Sequence, residues 1–158
     1  MSPLKSAVAD NQNDALAFFG ESRLRLETAE QDSLPDDALG LTQLIRPAAE
    51  FRVTDKLTAL IEVEAILSLI DDFDDGSGNK PTRPIIADPD GLELNRLQLQ
   101  YTLAPKTFVT LGRQKIAIDD QRFIGPGAFR QNDQSYDGIH ISTQFLSSTT
   151  VQAGYFNK

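Results

Sequence analysis

The stretch Leu57-Thr-Ala-Leu-Ile-Glu-Val-Glu-Ala-Ile-Leu-Ser-Leu69 decides the fold. Its positions Ala59, Ile61, Val63, Ala65 and Leu67 are apolar and alternate with Thr58, Glu62 and Glu64. A period of two is that of a β-strand, whose successive side chains point to opposite faces of a sheet. The segment therefore predicts a strand with one oily face and one charged face.

The same pattern extends in both directions. Upstream, 41–53 sets Ile45, Pro47, Ala49, Phe51 and Val53 against Arg46, Ala48, Glu50 and Arg52, and 19–28 sets Leu24, Leu26 and Thr28 against Arg23, Arg25 and Glu27. Downstream, 92–103 opposes Leu97, Leu99 and Tyr101 to Arg96, Gln98, Gln100 and Thr102, with Leu94 on the wrong parity. In 107–118 the parity flips between Val109/Leu111 and Ile116/Ile118, which predicts a bulge at Gly112–Arg113. The last two segments are 138–146, with Ile139, Ile141, Thr143 and Phe145 on one face, and 149–157, with Val151, Ala153 and Tyr155. Seven strands result, and no helix is needed after residue 20. Pro47 is the anomaly, because proline cannot donate a ladder hydrogen bond from within a strand.

The connections fall into two kinds. Tight turns are expected at Thr54-Asp55-Lys56, Ala104-Pro105-Lys106 and Ser147-Ser148, and long loops at 29–40, 70–91 and 119–137. Antiparallel hairpins in series put all the long loops at one end. Residues 1–18 read as an N-terminal extension, disordered or a short helix, ahead of a β-segment spanning 19–158.

Composition narrows the class. No uninterrupted apolar stretch approaches the roughly 20 residues of a membrane helix. Cysteine is absent, which excludes disulfides, thiol catalysis and thiolate metal sites. A formal charge of −8 argues against a nucleic-acid partner, which would need a basic face. The polar run after Met1 lacks the apolar core of a secretory signal, so the chain reads as a fragment whose leader lies upstream or as a protein that is not exported.

Short turns at one end, long loops at the other and strands of ~10 residues are the marks of an antiparallel up-and-down transmembrane β-barrel. A strand of ~10 residues is about 33 Å long and, tilted by ~45°, spans roughly 23 Å, close to the ~25 Å apolar band of such barrels. Arg or Lys on a lipid-facing side would cost ~2–4 kcal/mol near the midplane, so the charged faces are expected to line a wet lumen.

The stretch Ala87-Asp-Pro-Asp-Gly-Leu-Glu-Leu-Asn95, then Leu111-Gly-Arg-Gln114, Asp120-Gln-Arg-Phe-Ile-Gly125, Arg130-Gln-Asn132 and Tyr136-Asp137, resembles the alginate-export type of outer-membrane porin. The resemblance covers about residues 21–157. It implies a barrel of more than seven strands in the outer membrane, of which this chain would be an N-terminal piece. It further implies passive diffusion of polar, anionic or polysaccharide solutes, with Arg96, Arg113, Arg122 and Arg130 in the lumen or its loops. The lipid bilayer and a polar solute are the expected partners, and a homo-oligomer is compatible with the pattern. No enzyme activity and no cofactor are expected.

On alternation, Arg23, Arg25, Arg46, Glu50, Arg52, Glu62, Glu64, Arg96 and Arg113 are the candidate pore-lining residues. They would set a transverse field that selects solutes by charge, or neutralise one another across strands. Glu62 and Glu64, about 7 Å apart along one face, have the spacing of an inverting glycosidase pair, but a charged lumen explains them without chemistry. The acidic run 71–75 reads as a solvated loop, with a weak divalent-cation site as the alternative. His140 stands alone and makes neither a metal site nor a triad. A soluble or small-barrel β-domain that binds carbohydrate or anchors to the membrane is the rival reading.

Overall fold

The computed structural model describes residues 15–118, 125, 127, 130–146 and 149–157. They form one antiparallel sheet of seven strands in simple up-and-down order: β1 (Leu16–Ala29), β2 (Ala38–Thr54), β3 (Leu57–Asp72), β4 (Gly91–Ala104), β5 (Thr107–Gln114), β6 (Tyr136–Leu146) and β7 (Thr149–Asn157). Each strand pairs with its sequence neighbours, as short hairpin turns demand. Among the described residues there is no helix, and the sheet is open, with β1 and β7 as its edges.

The strand boundaries differ from the expectation at two places. β1 begins at Leu16, paired with Phe51, so residues 16–18 belong to the sheet and not to an extension. Residues 1–14, the turn at Ser147-Ser148 and Arg122 lie outside the described residues. β5 ends at Gln114, and Ile116 beyond it is buried instead of joining an exposed row. The apparent parity flip in 107–118 is thus the chain leaving the sheet.

Consequently no bulge forms at Gly112–Arg113, where the register runs unbroken from Leu97↔Arg113 to Arg113↔Asp137. Gly112 is needed for another reason. Its φ is +112°, and a Cβ there would lie 2.3 Å from the Leu97 carbonyl oxygen. Gly112→Ala is expected to cost about 1–3 kcal/mol of unfolding free energy, read as a lower denaturant midpoint. Gly91→Ala, with nothing within 4 Å of its Cβ, should shift stability by no more than ~0.5 kcal/mol.

A bulge does form in β4. Glu62 pairs with Arg96 but Val63 pairs with Leu94, which leaves Asn95 as the extra residue. This resets the parity, so Leu94 and Leu97 both face the exposed side although three positions separate them. It also turns Asn95 inward, 3% exposed, next to Arg96.

Pro47 is accommodated by the ladder. It pairs with Gly20 of β1, whereas the β2–β3 pairing skips Arg46 and Pro47 between Ile45↔Ala65 and Ala48↔Glu62. The missing N–H falls at that interruption. Gly20 lets the strands close there, since a Cβ on it would sit 2.8 Å from the Arg46 carbonyl oxygen.

What the sheet buries is unusual. On β2 and β3 the buried positions alternate through Thr42, Leu44, Arg46 and Ala48, and through Leu60, Glu62, Glu64 and Ile66. Leu24, Leu26, Leu67, Leu97, Leu99 and Leu111 on the opposite face are 45–66% exposed. An apolar cluster of buried residues, Ala38, Phe73 and Ile86 with Ala29, sits at the long-loop end, where the 73–90 loop folds back over Gly40.

Candidate functional site

The charged positions of β1 to β4 share one face, and the long loops close over it. Arg46 is the hub. Its guanidinium donates from Nε to Glu64 at 2.8 Å, from NH1 to Glu21 at 2.7 Å, and from NH2 to the Gln131 carbonyl at 3.2 Å. NH1 also lies 3.1 Å from Asp133. Glu21 comes into reach because it pairs with Arg46 across β1–β2.

Glu62 forms the second half of the network. Arg96, its register partner, donates to it, and Lys115 Nζ lies 2.8 Å away. The same ammonium contacts Asp133, which joins the two halves. The amide of Asn95, placed by the β4 bulge, donates to Glu62 at 3.0 Å and Glu64 at 3.1 Å. Both glutamates are below 5% exposed. Each of these two carboxylates therefore has at least one cation and a further donor, the condition for holding such charges away from water.

The roof over this face hangs on Gln131, which is fully buried. Its side-chain oxygen accepts from Arg23 Nε at 2.8 Å, and its amide donates to Thr42 Oγ1 at 2.9 Å. Its backbone N–H donates to Asp88 Oδ1 at 2.9 Å, and the other Asp88 oxygen accepts from Arg25 NH1 at 2.9 Å. The Arg130 carbonyl accepts from Arg23 NH2 at 2.5 Å. Gln131 and Asp88 thus tie the loop after β5 and the loop after β3 to each other and to β1 and β2.

The candidate residues separate accordingly. Arg23, Arg25, Arg46, Glu62, Glu64 and Arg96 come together on the roofed face, with Arg130 at its edge. Glu50 and Arg52 are exposed towards the tight-turn end of β2, away from this network. Arg113 shares a register row with Leu97 and is exposed, gripped by Asp137 at 2.9 and 2.8 Å. His140 lies 3.1 Å from Gln152 Oε1 and beside the Phe156 ring.

Periodicity alone missed Glu21, Asp88, Asn95, Lys115, Gln131 and Asp133. Only Asn95 left a trace in the alternation, the misplaced parity of Leu94. Asp88, Asn95 and Gln131 do stand within the stretches that carry the porin resemblance.

The acidic run at the tip of β3 is used for turns. Asp74 Oδ1 accepts from the N–H groups of Gly76 and Gly78 at 2.7 and 3.2 Å. The Ser77 hydroxyl and then its N–H bond to Asp75 and hold that carboxyl below its ordinary range. Lys80 contacts Asp71. Among the described residues, no group of three or more ligating side chains suited to a metal ion forms.

Away from the Arg113–Asp137 pair at the long-loop rim, the opposite face is mostly apolar. One register row runs Leu16, Phe51, Ala59, Leu99, Leu111, Ile139 and Tyr155, one residue from each strand. The next row towards the tight turns carries Leu57, Tyr101, Val109, Ile141 and Ala153. On this face Gln43 and Ser22 hydrogen-bond to each other at 3.0 Å.

No protein-family model matches the chain, and no curated protein matches it in sequence.

Proposed function

We propose that this chain contributes seven strands to an outer-membrane β-barrel of the porin kind, through which small polar solutes diffuse down their gradient. The observation that carries the reading is the continuous exposed apolar row from Leu16 to Tyr155, backed by a face of buried ion pairs. A soluble monomer rarely exposes an apolar patch of more than a few hundred Å², because water penalises it by about 25 cal/mol per Å². Hydrocarbon carries no such penalty. The resemblance to alginate-export porins points the same way.

The open edges of β1 and β7 set a condition. In hydrocarbon every backbone N–H and C=O needs a partner, so the barrel closes only with further strands. The pairing on the roofed face supports a conduit over a glycosidase site. Glu62 and Glu64 are saturated by Arg96, Lys115, Arg46 and Asn95, which leaves neither carboxyl free to exchange a proton with a sugar. A second reading, a small barrel acting as an anchor or shell, draws support from the roof itself, which covers β1 to β3 without leaving Gln131 any exposure.

Reconstitution in planar bilayers separates the two. The channel reading expects discrete conductance steps in a barrel containing this chain, whereas the anchor reading expects none. Asp133→Asn weakens the contacts to Arg46 and Lys115 that hold down the loop after β5. It is expected to raise single-channel conductance about two-fold or add open-state noise, since displacing an ion-paired loop from a narrow lumen widens it.

A further inference from the structure

At the long-loop end, beside the Arg46 network and sharing Asp133 with it, a cavity of about 370 Å³ opens between β4, β5, β6, β7 and the loop before β6. All eight lining residues are polar: Glu93, Arg113, Asn132, Asp133, Gln134, Ser135, Asp137 and Asn157. Its volume is at the low end of the ~300–1,000 Å³ typical of small-molecule sites.

The lining residues divide by what they already bind. Arg113 is spent on Asp137, which takes two of its N–H groups, and on the Leu94 carbonyl at 3.3 Å. Asp133 is spent on Arg46 and Lys115. The side chains of Asn132, Gln134, Ser135 and Asn157 make no hydrogen bond to other described residues, and neither does the carboxylate of Glu93. The set free of hydrogen bonds is thus three amides and a hydroxyl, each able to donate and accept, with one carboxylate, Glu93, whose charge acts on Arg113 through space.

We infer that this cavity is a mouth subsite for a small hydroxylated ammonium solute of the amino-sugar type. The amides and Ser135 match vicinal hydroxyls, which also donate and accept. Glu93 supplies the counter-charge for an ammonium. Asp137 is paired with Arg113, and Asp133 with Arg46 and Lys115, which leaves the Glu93 charge in excess, so the cavity disfavours an anionic sugar. The inference gives the solute class for the transport reading and rests on that reading for its biological use, but not for the binding itself.

The test uses three sugars of nearly equal size: glucosamine, glucose and glucuronate. Their binding to the detergent-purified protein is measured by ligand-observed NMR at one fixed, near-neutral pH. Glucosamine is expected to bind about five-fold tighter than glucose, the scale of one partly exposed charge pair, and glucuronate to bind weakest. Glu93→Gln should bring glucosamine and glucose to parity. Asn132→Ala should weaken both equally. Glucuronate binding as tightly as glucosamine, a preference that survives Glu93→Gln, or no binding of any of the three would overturn the assignment. Flux of the same sugars into proteoliposomes is read separately. Binding without flux leaves the subsite intact and removes the pore, and flux without discrimination among the three removes the subsite alone.

Discussion

Leu99→Arg is expected to abolish assembly into lipid bilayers while leaving the isolated sheet's hydrogen bonds untouched. Leu99 is 45% exposed on the apolar face, between Ala59 of β3 and Leu111 of β5 in register. If that face meets hydrocarbon near the midplane, a guanidinium there costs about 2–4 kcal/mol. Each 1.4 kcal/mol is ten-fold in an equilibrium, so the folded fraction in vesicles should fall by roughly 30- to 1,000-fold. Folding is followed by the heat-sensitive mobility of the barrel on gels and by protection from protease in vesicles. On an ordinary water-facing surface the same change would be worth within ~0.5 kcal/mol. Gln98→Arg, one residue away and on the roofed side, serves as the control that keeps the barrel assembling.

Arg46→Met is expected to be the most damaging single change on the charged face. The guanidinium is 5% exposed and serves Glu21, Glu64, Asp133 and the Gln131 carbonyl together. Breaking a buried ion pair from one side leaves a bare charge and costs about 3–5 kcal/mol. The expected result is a loss of that size in a urea titration, with the loop after β5 released to protease. Arg46→Met combined with Glu64→Leu should recover part of the loss, because replacing both charges by apolar groups is often neutral or better. The exposed Arg52→Met, six residues along the same strand face, should stay within ~1 kcal/mol.

These two experiments probe opposite faces of one pattern, and that pattern was legible in the sequence. Alternation gave the seven strands, their order and the split between short and long connections, because a period of two is imposed by backbone geometry alone. It placed Arg46, Glu62, Glu64 and Arg96 on one face correctly. It erred where the chain departs from that geometry. At Gly112 the change of parity predicts a bulge, whereas β5 simply ends and Ile116 is buried beyond the sheet. At Leu94 a real bulge looked like noise, although it is what brings Asn95 to both glutamates.

The roof was not legible, for a different reason. Gln131, Asp88 and Lys115 lie in loops, where no periodicity reports which way a side chain points. Gln131 reaches Arg23 across 108 positions of sequence, and only the curvature and register of the intervening strands bring them together. The pairing of Arg113 with Asp137 was missed because parity counts face and not depth. Both stand at the long-loop rim, where a charged pair can occupy the apolar side's parity and still meet water.

Which solvent the odd residues of β3 meet decides whether this sheet sits in a membrane. The chain has no cysteine, so single cysteines placed in turn from Ala59 to Leu67 can carry a nitroxide label in lipid vesicles. Accessibility to oxygen, which concentrates in hydrocarbon, is then compared with accessibility to a water-soluble nickel chelate. Labels at 59, 61, 63, 65 and 67 are predicted to favour oxygen and those at 60, 62, 64 and 66 not to, with a period of two. Odd positions that favour the nickel chelate, or an accessibility without that period, would contradict the claim.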